Sequence, residues 1–301
     1  MNSAVTTTLD QLRRDLRTYA ELAEADYRPE VVDPVLESLA DAWASSIVGV
    51  RTTTHPVPER EVNARVQFPG EPSELIDTLR ADGLLDFVGH PIESLLTATI
   101  AAGPCRAGVD LAVGTGLQKL WLIFPQVLGV DQVLALPGLP EAVPAYTGHL
   151  KRYGGEIGIM AFDFANRTMN LYSQVLPPGT LSSEDVAKML AELELHPAAP
   201  EELAALPSPF NVYRTFSWTS SGMRRICFPM RHTAETFPAG IDPLLARFVE
   251  DAPFADSSPG AARRFTFYAA YGPADRYFKV QAEYSNTAHA TFPGGVAPAV
   301  R

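Results

Sequence analysis

The segment Arg276–Tyr284, RYFKVQAEY, carries a lysine, an amide and a carboxylate at alternate positions. Phe278, Val280 and Ala282 stand between them, and this alternation predicts a β-strand with one buried apolar face. Lys279, Gln281 and Glu283 then share the opposite face. Such a face can be turned to solvent or to an enclosed space, and its side chains can hold an anion and move a proton only in the second case.

Other strand-like segments repeat this alternation, with cations, amides, phenols and an indole on the polar face and few acids. The chain has 35 acidic residues, 24 lysines and arginines and a net charge of −11. A solvated face of such a protein would be richer in acids, so the polar face is predicted to line an enclosed anion site. Its members are Arg51, Asn63, Arg65, Lys119, Trp121, Thr168, Asn170, Tyr172, Asn211, Tyr213, Thr215, Arg225, Lys279, Gln281 and Glu283.

The strand patterns occur in pairs, and helical patterns such as SELIDTLRADG, LSSEDVAKMLAEL and IDPLLARFVED separate the pairs. Five hairpins make ten strands, and closure into a barrel removes the exposed edges of such a sheet. The helices then cover the apolar outer face, and the polar face lines the lumen. The predicted hairpins are Ile47–Thr54 with Glu61–Phe68, Ala107–Val113 with Gln118–Phe124, Glu156–Asp163 with Thr168–Gln174, Phe210–Trp218 with Met223–Met230, and Arg264–Tyr271 with Arg276–Tyr284.

The residue types of this lumen suit one kind of ligand. Arginine and lysine from separate strands, with tyrosine hydroxyls and asparagine amides, suit phosphate oxygens. Trp121, Tyr172 and Tyr213 suit a flat or transiently cationic group. A diphosphate joined to an apolar tail combines both features. The sequence has no GxxxxGK[ST] or GxGxxG loop and no aspartate-rich magnesium motif.

From about Leu9 to Tyr284 the chain resembles the soluble aromatic prenyltransferases of the ABBA type. The resemblance implies an α+β fold, a ten-stranded antiparallel barrel with a solvent-filled lumen, ringed by helices in repeated α-β-β-α units (the PT barrel). It implies one domain over residues 1–290, and residues 291–301 are predicted to form a disordered tail. The segments that carry the resemblance are GHPIESLL (89–96), GLQKLWLIFP (116–125), FANRTMNLY (164–172), FNVYRTFSW (210–218), MRRICF (223–228) and YFKVQAEY (277–284).

The resemblance also implies a set of diphosphate ligands: Lys119, Asn170, Tyr172, Tyr213, Arg225 and Lys279. Magnesium-dependent members of the family carry an aspartate where this chain has Asn63. A neutral amide is a poor magnesium ligand. The chain therefore resembles the metal-independent branch, which includes 4-hydroxyphenylpyruvate prenyltransferases, and Arg51 and Arg65 are expected to supply fixed positive charge to the diphosphate.

The implied reaction transfers a dimethylallyl or geranyl group from its diphosphate to an electron-rich aromatic metabolite. Lys119 and Arg225 would neutralise the leaving group, and Glu283 would orient or deprotonate the acceptor; an ion pair with a neighbouring arginine is its alternative role. The acceptor, the donor length and the attacking atom (carbon, oxygen or nitrogen) stay open. The expected lining of the prenyl and aromatic pocket is Trp121, Asn211, Thr215, Cys227 and Gln281.

A second interpretation is a non-catalytic barrel that binds an apolar or anionic ligand, although an apolar ligand would not need so many cations. The acidic composition argues against nucleic acid as a partner, and no apolar run is long enough to cross a membrane. We expect a cytoplasmic monomer without disulfides. The six histidines show no metal spacing such as HExxH, and surface or capping roles are predicted for them.

Overall fold

The computed structural model describes residues 8–87, 89–173, 177, 179–256 and 263–285. Ten antiparallel strands form one closed barrel, in which each strand pairs with its neighbours in the chain and β1 pairs with β10. This confirms the predicted barrel. The strands are β1 Val48–Thr53, β2 Val62–Gln67, β3 Arg106–Ala112, β4 Gly116–Gly129, β5 Glu156–Asp163, β6 Thr168–Ser173, β7 Tyr213–Ser217, β8 Arg225–Thr233, β9 Arg264–Tyr271 and β10 Arg276–Glu283.

Helices surround the barrel, and four of them begin with a proline, whose fixed φ and missing N–H suit the first helical turn. They are α1 Leu9–Ala23, α2 Pro29–Ser38, α3 Ala40–Ser45, α4 Pro72–Ala81, α5 Ile92–Ala101, α6 Val130–Leu134, α7 Thr147–Arg152, α8 Ser183–Glu192, α9 Pro200–Ala204 and α10 Pro243–Asp251. Single 3-10 turns cover Val57–Glu59, Val143–Tyr146 and Ala239–Ile241.

Most predicted strand limits agree with the structure to within a few residues. The largest difference is β4, which continues to Gly129. Differences of three residues follow for β7, which begins at Tyr213 rather than Phe210, and for β8, which ends at Thr233 rather than Met230. Gln174, the predicted end of the sixth strand, and the predicted tail 291–301 lie outside the described residues.

The main hydrophobic core lies between the barrel wall and the helices. Side chains such as Val50, Leu171 and Val280 point outward from their strands and are fully buried. They pack in one cluster with helix residues such as Tyr19 and Phe248. Because successive strand residues point to opposite sides, this packing turns the polar positions inward.

The lumen has its own apolar lining, separate from the main core. One cluster, which we call the tyrosine cluster, contains Tyr213, Cys227, Tyr268, Ala270 and Tyr277. A second cluster contains Trp121, Ile123 and Ala161, with Ile159 packed against it. Tyr172 packs against both clusters and connects them.

Two neighbouring residues of β6 test the assignment of an outward face to the main core and an inward face to the lumen. We expect Leu171→Ala to lower the free energy of unfolding by about 2–5 kcal/mol, because it opens a cavity beneath the helices. Asn170→Ala, on the lumen side, loses one hydrogen bond from Thr215, and its expected cost is about 1 kcal/mol. Urea unfolding of both variants measures the difference. Equal costs would contradict the assignment of the two faces.

Candidate active site

Two cavities open at opposite ends of the lumen. The first has a volume of ≈ 360 Å³ and reaches Thr53 at the end of β1 and Asn63 at the start of β2. The second has a volume of ≈ 420 Å³ and reaches Ile47, before β1, and Gln67 at the end of β2. Because β1 and β2 run the length of the wall between them, the cavities lie at the two ends of the barrel.

We call the first space the cationic cavity, because four cations that the sequence singled out line it: Arg51, Lys119, Arg225 and Lys279. They come from β1, β4, β8 and β10. Strands far apart in the chain thus place them around one space. This is the arrangement expected of a site that surrounds an anion.

Arg225 and Lys279 have no carboxylate partner within 4.0 Å among the residues that the structure describes. The Lys279 Nζ donates a hydrogen bond to the Tyr213 hydroxyl at 2.9 Å and lies 5.3 Å from the centre of the Tyr277 ring. The Arg225 guanidinium lies 5.8 Å from the same ring centre. Its Nε is buried without a hydrogen-bond acceptor in the described part of the chain. Lys279 is buried and Arg225 is half-buried. A π face stabilises such a cation less than an anion does, so these two charges are under-compensated.

The pKa values of Lys279 and His55 reflect this excess of positive charge, whereas burial lowers the pKa of Arg225 less than its neighbours, Tyr277 first, raise it. Burial lowers the pKa of Lys279 well below its ordinary value, and Arg225, Arg51 and Lys119 lower it further against an opposing effect of Cys227. Burial and the charges of Lys279 and Arg225 also lower the pKa of His55. An anion placed between these groups would reverse the effect of the neighbouring cations on both pKa values.

The other two cations of the cavity have carboxylate partners. Lys119 Nζ lies 3.1 Å from Asp163, and Arg51 Nη2 donates to Asp110 at 3.1 Å. Arg65 also donates to Asp110, through Nε and Nη2. Burial would raise the pKa of Asp110, but the charges of Arg65 and Arg51 hold it at about 2. Asp110 is thus a fixed anion in the middle of the lumen.

The remaining predicted diphosphate ligands lie at two different places. Asn170 Oδ1 accepts a hydrogen bond from Thr215 at 2.6 Å. Tyr172 stacks on Tyr213 with ring centres 4.4 Å apart, and Tyr213 contacts Lys279. Arg65, in contrast, lines the second cavity together with Trp121, apart from the other predicted ligands.

The predicted pocket and base residues are distributed along the lumen wall. Gln281 accepts a hydrogen bond from Tyr268 at 3.2 Å, and Cys227 belongs to the tyrosine cluster. Asn211 is buried, and its Oδ1 has no hydrogen-bond donor among the described residues. Glu283 is half-buried on β10 beside Gly49 and is not among the residues that line the two cavities.

Several site residues were missed by the sequence reasoning. The expectation of a lumen with few acids overlooked Asp110 and Asp163, although both stand at alternating positions of their strands. The prediction of a surface or capping role for His55 is wrong, because it lines the cationic cavity and packs against Tyr277 with ring centres 3.9 Å apart. Tyr268 was also missed, although the alternation of RFTFYAAY places it inward.

The sequence profile of the family described as aromatic prenyltransferase Orf2 matches residues 7–294. The chain belongs to this family. It is 26% identical over 279 residues to 5,10-dihydrophenazine-1-carboxylate 9-dimethylallyltransferase of Streptomyces anulatus, covering 91% of this chain and 92% of that protein. It is 27% identical over 273 residues to flaviolin linalyltransferase of Streptomyces virginiae, covering 88% of each. It is 25% identical over 286 residues to 4-hydroxyphenylpyruvate 3-dimethylallyltransferase of Streptomyces niveus, covering 92% and 84%.

A solved structure shows the same fold. The 5-dimethylallyltryptophan synthase of Streptomyces coelicolor superposes with a TM-score of 0.66 and covers 95% of this chain and 100% of its own, at 12% identity. The protein is therefore an aromatic prenyltransferase with a PT-barrel fold, and the non-catalytic barrel considered from the sequence is set aside. No helix in the described ranges is long and apolar enough to cross a membrane.

Replacing Lys279 tests whether its charge destabilises the ligand-free enzyme. We expect Lys279→Met to raise the free energy of unfolding of the ligand-free enzyme at about pH 7, because the folded protein disfavours the ammonium. Since the lysine pKa is lower folded than unfolded, wild-type stability rises with pH toward 10.5, and this rise disappears in the variant. Urea unfolding across this pH range measures it, with the exposed Lys188→Met on α8 as the control. A variant that is less stable than the wild type throughout would contradict the under-compensated charge.

Proposed function

We propose that this prenyltransferase transfers a dimethylallyl group from its diphosphate to an electron-rich aromatic small molecule. The observation that carries the proposal is the pair of cations without carboxylate partners among the described residues, the half-buried Arg225 and the buried Lys279, at one end of an aromatic lumen. Two of the relatives named above are dimethylallyltransferases. The linalyltransferase relative makes a ten-carbon donor the second candidate.

The diphosphate binds in the cationic cavity, with Arg225 and Lys279 as its principal partners. Lys119 can exchange its contact with Asp163 for a phosphate oxygen, and Tyr213 donates its hydroxyl proton once Lys279 turns to the anion. Asn170 lies behind Thr215 and supports the wall of the site. Arg51 lines the cavity while its charge is shared with Asp110.

In the chemical step the allylic C–O bond breaks and its electron pair leaves with the diphosphate. The cations stabilise the growing negative charge on the diphosphate. The stacked rings of Tyr172 and Tyr213 shield the allyl cation and stabilise it through their π faces. The aromatic acceptor then supplies an electron pair to form the new bond, and a base takes the proton that restores its aromaticity.

The proposal does not require magnesium. Asn63, at the position of the family's metal-binding aspartate, donates its amide to Gln118 at 3.1 Å. Gln118 donates in turn to Glu61 at 2.9 Å, and Asp163 is paired with Lys119. The Gln118 Oε1, one Glu61 oxygen and Asp163 are thus engaged with protein donors, and position 63 offers an amide in place of a carboxylate, which suits a cationic rather than a metal-assisted diphosphate site. We also propose that the enzyme acts as a monomer in the cytoplasm, in secondary metabolism.

Turnover with and without metal tests the donor site. We expect prenylated product from dimethylallyl diphosphate and a panel of phenolic acceptors in EDTA, with no increase on adding magnesium. Lys119→Ala and Arg225→Ala should each lower the rate at least about a hundredfold, because each removes a charge that stabilises the leaving group. The exposed Lys188→Ala and Arg80→Ala are the matched controls.

The outcomes of this assay are separable. Product only with magnesium would contradict metal independence and leave the donor site standing. Full activity of Arg225→Ala would contradict the donor site. If no acceptor reacts, binding of the inert analogue dimethylallyl S-thiolodiphosphate to the wild type and to Arg225→Ala decides the same question.

Glu283 is the proposed base or orienting group for the acceptor. It is half-buried and follows Lys279 and Gln281 on the lumen side of β10. We expect Glu283→Gln to lower kcat about tenfold to a hundredfold, because the amide cannot take a proton. The KM for the donor should stay within about twofold. Steady-state kinetics measure both constants, with the exposed Glu184→Gln on α8 as the control, and an unchanged kcat would exclude this role.

A further inference from the structure

The second cavity, which we call the tryptophan cavity, lies at the other end of the lumen from the proposed diphosphate site. Trp121 borders it and is held tightly. Its Nε1 donates to Asp110 at 3.1 Å, and a Cβ built at Gly108 would lie 2.1 Å from the indole Cζ2. Only glycine at this position of β3 lets the indole pack against the strand, so the chain gives the ring a defined place.

Arg65 borders the same cavity, beside the indole. Its guanidinium carbon lies 5.9 Å from the centre of the Trp121 ring. Nε and Nη2 donate to Asp110 at 3.2 and 3.1 Å, whereas Nη1 has a long contact of 3.4 Å with Gln281. A Cβ at Gly49 would lie 2.9 Å from the Gln281 Nε2 and 3.2 Å from the Arg65 Cγ, so a second glycine leaves space for both of these side chains.

Positive charge exceeds negative charge around Asp110 and in the lining of the tryptophan cavity. Arg51 and Arg65 share one carboxylate, that of Asp110. The residues that line the tryptophan cavity include two arginines, Arg65 and Arg106, and one acid, Glu71. A neutral guest would leave the surplus charge of the arginine pair uncompensated, whereas an anionic group on the guest would neutralise it.

We propose that the tryptophan cavity binds the aromatic acceptor and that this acceptor carries a carboxylate. The carboxylate pairs with Nη1 of Arg65, and the ring lies beside Trp121. Tyr172 contacts both apolar clusters of the lumen. An acceptor ring beside Trp121 therefore lies next to the tyrosine cluster, which holds the prenyl chain in this proposal. The inference rests on the proposed function, because it takes the opposite cavity as the site of the diphosphate.

Binding of matched acids and amides tests this assignment. Isothermal titration compares 4-hydroxybenzoate, 1-hydroxy-2-naphthoate and phenazine-1-carboxylate with their carboxamides, in the presence of saturating dimethylallyl S-thiolodiphosphate. We expect at least one acid to bind at least about tenfold more tightly than its amide, the effect of a charge-assisted hydrogen bond. Arg65→Gln should remove this preference, because the glutamine amide carries no charge. Arg80→Gln, at an exposed position of α4, should keep it.

Arg65→Gln leaves Arg51 and Asp110 as a balanced pair. Arg65→Lys is the second variant. It keeps the charge and loses the planar fork, so we expect an intermediate preference for the acid. The proposal is overturned if every amide binds as tightly as its acid, or if Arg65→Gln retains the preference. Failure of the wild type to bind the thiolodiphosphate would instead refute the proposed donor site, and the acid–amide comparison made without the analogue would still decide the role of Arg65.

Discussion

The proposed site depends on one electrostatic constraint: two cations of the lumen, the buried Lys279 and the half-buried Arg225, have no carboxylates among the described residues to balance them. Removing Lys279, and Arg225 in part, from water costs free energy that tyrosine rings and one hydroxyl recover only in part. A diphosphate supplies the missing negative charge and gains more from these cations than it would in water. We therefore expect the free enzyme to gain stability when the donor binds.

The main core, which is separate from the site, offsets the free-energy cost of placing these cations in the lumen. Outward residues such as Leu171 and Phe216 pack beneath the helices and stabilise the barrel, while the lumen residues are free to serve binding. The ion pairs of Asp110 lie between the two cavities. Asp110 holds Arg51 and Arg65 near the middle of the lumen, so that positive charge faces the cationic cavity on one side and the tryptophan cavity on the other.

Much of this arrangement could be predicted from alternation. Alternation in β10 and β4 placed Lys279 and Lys119 inward, and closure of ten strands followed from the exposed edges. Alternation gives the face of a residue but not its partners across the barrel or its height in the lumen. For this reason Arg65 was expected beside the diphosphate, the anion Asp110 went unnoticed, and His55, one residue beyond the strand pattern, was expected at the surface.

The most direct test of the central claim is the proton balance of donor binding. The heat of binding of dimethylallyl S-thiolodiphosphate at about pH 8.5 is measured in two buffers of different ionisation enthalpy. Because the pKa of Lys279 is lowered in the free enzyme, the account predicts that the wild type takes up protons on binding and that Lys279→Arg, which stays charged, takes up fewer. Equal proton uptake by both proteins, or failure of the wild type to bind the analogue, would contradict it.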